Sequence, residues 1–359
     1  MKMHRFLILA LTLVFMTTVF APVRAQDDTT AATTFYLADD GSFSVKLPEG
    51  WFAVGDATGL FGTTNEALLA NDNLEVTESG DRAFLVIPLS TADLADLGIA
   101  PEATILEIAT TLAPNFGDSD GSTEIGQPES LAEGVARMTI ADDINDGVIY
   151  VVDNLAPGYI GIGIMAAVKG EMTEEVEIGI LGIFAEINFS LPLDEPFLAA
   201  DNAVGFSYPT DWVMNDFGGG VALLFDSQTT MDNSMADADI APGESRIALI
   251  GIDPANVPAE LTPDTLKAFA VQVATELTAS SEHNPVVGEP DLLENELLVG
   301  GSVVHVSITS DIGEGGVFVV NNAGALYVVL FSGVLNEGNR LFGTALNIAN
   351  TATYTPIAQ

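Results

Sequence analysis

Beyond residue 25 the chain holds two histidines, His283 in "SSEHNP" and His305 in "SVVHVSI", no cysteine, and 51 aspartates and glutamates. An imidazole beside a carboxylate can do general acid–base work, and two carboxylates of separated acidity can cleave a glycosidic bond. His305 alternates with apolar residues inside a strand pattern and reads as a packed sheet residue; His283 reads as a loop residue, and nothing in the spacing joins them. There is no H-E-x-x-H for zinc, no G-x-S-x-G nucleophile elbow and no G-x-x-x-x-G-K-[ST] phosphate loop. The glycines of "FGGGV", 217 to 221, precede a strand rather than a helix, so they read as a turn and not as a phosphate cradle. "ADDINDGV" at 141 and "MDNSMADADI" at 231 carry oxygens that suit calcium, but neither follows the D-x-[DN]-x-[DN]-G order. The first reads as a hairpin turn and the second as a solvated loop. No catalytic, cofactor-binding or metal-binding residue is assigned, and no cofactor is expected.

The elements that would position such residues come in two sets. Sliding the chain against itself so that Pro48 falls on Pro209 also sets Trp51 on Trp212, in "GSFSVKLPEGW" and "NAVGFSYPTDW". Farther on, "DRAFLVIPLSTADLADLGIAPEATI" at 81 parallels "SRIALIGIDPANVPAELTPDTL" at 245, and "GVIYVVDNLAPGYIGIGIMAAV" parallels "GVFVVNNAGALYVVLFSGV". Matches in one order over this length indicate duplicated domains rather than a solenoid, whose repeats span roughly 20 to 50 residues.

Each set opens with an alternating strand closed by its proline, which lacks an N–H for the ladder. A loop with Gly55, Gly59 and Gly62, or with Gly218 to Gly220, leads to "EALLA" or "VALLF". A continuous apolar strand follows, then a helix with Pro101 or Pro263 at its first position. Three or four strands joined by Asp-, Asn- and Gly-rich turns come next, as hairpins require. Closing helices are expected over 173–189 and 339–354. The fold class is therefore α+β: two similar α/β/α sandwich domains, each a mostly antiparallel sheet with flanking helices.

The N-terminal segment, Met1 to Ala25, has a basic start, an apolar stretch over 6–20 and small residues before its end, the pattern of a cleaved secretory signal. An uncleaved N-terminal anchor is the alternative. Of the 10 lysines and arginines, losing Lys2, Arg5 and Arg24 leaves 7 against 51 acids, a net charge of −44. Such a surface repels nucleic acid and anionic membrane surfaces. The partner is then an extracytoplasmic protein or a small ligand, with weak, dispersed divalent-cation binding. Without cysteine there is neither a disulfide nor a thiolate site, so the apolar cores must hold the exported protein together.

The strand, proline and tryptophan of "SFSVKLPEGW" and "VGFSYPTDW", followed by strand, helix, meander and closing helix, resemble PsbP-like domains, relatives of the extrinsic photosystem II protein that occur in bacteria as exported proteins. The resemblance runs once per copy: a flexible segment over 26–34, a first domain over 35–190, a linker over 191–196 and a second domain over 197–356. It implies an α/β/α sandwich and a non-enzymatic role in binding or assembly. The plant-type branch docks through basic and histidine residues, for which this sequence offers no counterpart, so no metal ligand is carried over. Pro48, Trp51, Pro209 and Trp212 are structural markers of the repeat, each indole read as a plug over the sheet end. The alternative is an extracytoplasmic hydrolase using carboxylates or His305 in a cleft.

Overall fold

The computed structural model describes residues 33–70, 75–117, 122–201, 203–236, 241–279, 281, 283–334 and 338–355. The signal expected over 1–25 lies outside them, as does most of the segment over 26–34, although Thr33 and Thr34 belong to the first strand. The chain divides into two compact units between Phe189 and Ser190. Both are antiparallel sheets with helices, so the molecule is of the α+β class.

In the first unit, alternation in "SFSVKL" buries Phe43, Val45 and Leu47 and produces β2 (Phe43–Pro48) beside β1 (Thr33–Leu37). The main sheet contains β3 (Phe52–Asp56), β4 (Gly59–Thr63), β5 (Arg82–Ser90), β6 (Glu124–Ile125), β7 (Glu129–Ala132), β8 (Val135–Ala141), β9 (Asn145–Ala156) and β10 (Tyr159–Val168). Its order is β3-β4-β5-β10-β9-β8-β6, with β7 also on β8. Three helices join it: α1 (Thr91–Asp96), α2 (Ile105–Leu112) and α3 (Glu174–Phe184). The short β11 (Asn188–Phe189) returns to pair with β2. Ile108, Ala109 and Leu112 of α2 pack on Met138, Ile149, Val151 and Ile162 on one face of the sheet. On the other face Phe184 of α3 meets Phe84 edge-on, with ring centroids 5.5 Å apart.

The second unit contains β12 (Glu195–Leu198), β13 (Val204–Tyr208), β14 (Val213–Gly218), β15 (Val221–Phe225), α4 (Gln228–Met235), β16 (Arg246–Gly251) and α5 (Pro263–Thr278). It continues with β17 (Val286–Glu294), β18 (Ser302–Thr309), β19 (Gly313–Asn322), β20 (Ala325–Val334), α6 (Phe342–Thr351) and β21 (Thr353–Tyr354). The main-sheet order is β14-β15-β16-β20-β19-β18-β17, the connectivity of the first unit, and β12-β13-β21 form the small sheet. Leu266, Phe269, Ala270 and Val273 of α5 bury against Val304, Val306, Val317, Val319 and Val328. A latch recurs as well. Asp40 accepts the Ala57 N–H at 2.8 Å and Asp201 accepts the Gly219 N–H at 2.9 Å, each tying the first turn of its unit to the tip of the next hairpin.

Several expected boundaries move. Pro101 does not start a helix: α2 begins at Ile105, where Thr104 and Glu107 form a reciprocal capping box that satisfies the free N–H groups. Pro263 does take the first helical position, with Thr262 as cap. "EALLA" is a 3-10 turn, and the strand matching "VALLF" is β4, so Gly55, Gly59 and Gly62 lie in a hairpin rather than a loop. The span expected as a linker over 191–196 belongs to the second unit. Leu191 is buried and its N–H donates to the Thr344 hydroxyl at 3.0 Å, while Glu195 and Pro196 pair in β12. Residues 231–235, expected in a solvated loop, are helical in α4; 237–240 lie outside the described residues.

Candidate functional site

Strand periodicity puts alternate residues of β8 on opposite faces, so Arg137 lies opposite the face that Ala136 and Met138 give to the α2 core. Across the ladder it stands against Tyr150 of β9. Glu177, in the first turn of α3, meets the guanidinium through two bonds, Nε to Oε1 at 2.7 Å and Nη2 to Oε2 at 3.0 Å. Tyr150 donates its hydroxyl to the same carboxylate. The Arg137 bond holds Glu177 below the usual carboxylate range against the opposing effect of burial, while burial and the bond to Glu177 push Tyr150 up to about 12. A bidentate pair of this kind is strong and directional. It fastens α3 to the sheet.

The second unit puts His305 in the corresponding ladder position, opposite Phe318 of β19 as Arg137 is opposite Tyr150. Its imidazole lies among three phenylalanines, with centroids 5.0 Å from Phe318, 6.0 Å from Phe331 and 4.8 Å from Phe342 of α6. Room for the ring comes from Gly316, where a Cβ would stand 2.6 Å from Nε2. Both units pack a phenylalanine of the closing helix on the sheet, Phe184 or Phe342, and the first adds the charged Arg137–Glu177 pair. His283 lies elsewhere, its carbonyl accepting the Asp311 N–H, from the turn after β18, at 3.0 Å. The two histidines are not brought together.

The repeat markers fall in matching turns. Trp51 donates its backbone N–H to the Pro48 carbonyl at 3.1 Å, and Trp212 to that of Pro209 at 3.0 Å. Trp212 is 8% exposed, and Trp51 is half-buried with its ring 5.6 Å from Phe84. Pro48 is exposed at the end of β2, and Pro209 is buried just past β13. The acidic stretch at 141 is the β8–β9 turn, where Asp142 Oδ1 accepts the N–H groups of Ile144 and Asn145. Gly218, Gly219 and Gly220 all have positive φ in the β14–β15 hairpin. Among the described residues no three acids or histidines gather as a metal site.

The first unit also has a cleft of about 580 Å³, which sequence reasoning missed, at the end of the sheet where α1, the start of α2 and β7 meet. Its floor is Leu94, Ile105, Ile108 and Ile160, and its walls include Thr91, Ser130, Glu133 and Asp153. Two capping boxes, Ser90 with Asp93 and Thr104 with Glu107, start the two short helices that line the opening. Their carboxylates accept from the cap residues and are held below the usual range by those bonds. A cleft of this size and apolar floor can seat a ligand.

No family model matches the chain, and no curated protein matches it. Among solved structures it is similar to cyanobacterial PsbP (CyanoP) from Synechocystis sp. PCC 6803, at 11% identity over 45% of this chain and 92% of that chain, with a TM-score of 0.32. It is also similar to the Ran-binding protein Mog1p of Saccharomyces cerevisiae, at 11% identity over 45% and 96% of the two chains, TM-score 0.27. A third is a protein of Bacteroides thetaiotaomicron VPI-5482, at 13% identity over 46% and 49%, TM-score 0.22.

Proposed function

We propose that the chain is an exported, non-enzymatic binding or assembly module built from two duplicated PsbP-like domains. The observation that carries this reading is the use of the chemistry-bearing side chains. Arg137, Tyr150 and Glu177 hold α3 to the sheet, and the His305 ring is packed among phenylalanines beneath α6. Groups committed to packing are poor acids and bases, because catalysis needs a proton carrier within reach of substrate. The shared strand order supports duplication, and the secretory pattern of segment 1–25 supports export. Among the described residues no helix is long and apolar enough to cross a membrane.

Affinity capture from the native envelope, followed by quantitative mass spectrometry, tests the reading. The expected result is one partner or ligand retained saturably by the chain and absent from a heat-unfolded control. Turnover of simple ester, glycoside or peptide substrates by the purified protein would overturn it in favour of a hydrolase.

A further inference from the structure

We infer that the cleft between α1, α2 and β7 is the docking site for a basic, amphipathic peptide segment of a partner protein, an assignment that rests on the binding-module reading. The floor is built for an apolar side chain: Leu94, Ile108 and Ile160 are buried beneath the opening. The apolar surface reaches the rim, where Leu106 is 37% exposed. Floor and rim can hold successive apolar side chains of one segment, which favours a peptide.

Charge selects the occupant. Every charged residue of segments 91–108 and 129–134 is an acid, and so is Asp153 on the wall. Asp93 and Glu107, held ionised by their caps, keep two of these charges in place. An incoming lysine or arginine beside the apolar anchor would meet Glu133 and Asp153, whereas an acidic or phosphorylated segment would be repelled. At β7 itself Leu131 bulges between Ser130 and Ala132 in the pairing with β8. Bulges discourage strand addition, so the contact is made by side chains in the cleft rather than by extending the sheet.

The test is calorimetric titration of a short alternating leucine–lysine peptide into the chain beginning at Gln26, with amide NMR shifts recorded alongside. The expected result is saturable binding with shifts confined to 91–108, 129–134 and 153–160. Glu133→Lys with Asp153→Lys should weaken it by about tenfold or more, and Leu106→Asp should do the same. These residues are exposed, and unchanged melting would confirm intact folding. A control pair in the second unit, Glu260→Lys with Glu289→Lys, carries the same charge change and should leave binding intact. Equal weakening by both pairs would mean that overall charge holds the peptide, overturning the proposal. An envelope partner whose binding survives the cleft substitutions would sustain the module reading and overturn this site.

Discussion

At the scale of single residues, side chains that look like chemistry are used as fasteners. Glu171 accepts from the Ser79 hydroxyl, the Gly80 N–H and Arg82, with the last two at 2.9 and 3.0 Å. The Ser79 bond first, then the other two, pull its carboxyl down to about 2. A carboxyl more acidic in the folded chain stabilises fully above its ordinary value of 4.5, and that contribution drains away as pH falls toward 2. Glu171→Gln should therefore lower the melting temperature at pH 6 and make almost no difference at pH 2, read by thermal melts of both proteins at each pH. Trp212, nearly buried, is a packing residue by the same logic. Trp212→Ala should destabilise the second unit by about 3–5 kcal/mol, seen as an earlier melting step by calorimetry, and an unmoved profile would show the indole to be dispensable. The Arg137 cluster was only half legible. A lone arginine in "GVARMTI" demands a partner when its strand is buried, but Glu177 lies 40 residues away and sequence spacing does not point to it.

At the scale of elements, the strand meanders and their turns were readable because alternation and Asp-Gly-rich links act locally. What failed were starts and short pieces. Proline at 101 suggested a helix start, but its place was taken by Thr104, whose hydroxyl accepts the Glu107 N–H while the Glu107 carboxylate accepts the Thr104 N–H at 2.8 Å. Thr104→Ala should cost about 1 kcal/mol, measured by urea unfolding, with Thr104→Ser restoring most of it. The helix α1 was written in "STAD" as Ser90 and Asp93, yet six residues give too little apolar periodicity to stand out. "EALLA" and "VALLF" were set side by side as equivalent apolar pieces although one is a 3-10 turn and the other a strand, because a short apolar run has no period that separates the two. The cleft was illegible for a different reason: it depends on how α1, α2 and β7 fold over the sheet end, which no local pattern specifies.

At the scale of the whole molecule, two units of one connectivity carry different interiors. The position that holds the Arg137–Tyr150 pair in one holds His305 and Phe318 in the other. A framework can accommodate either set because the helix needs only to be held, and the likeness of the two units is carried by strand order and apolar pattern rather than by these polar residues. With a net charge of −44 beyond Ala25, from 7 basic residues against 51 acids, any basic partner would be drawn by a long-range attraction that weakens as salt rises. The most direct measurement of the central claim is turnover of ester, glycoside and peptide substrates by the purified chain beside its His305→Gln variant. The account predicts no turnover above the blank for either protein. Activity in the parent chain that disappears in a folded His305→Gln variant would contradict it.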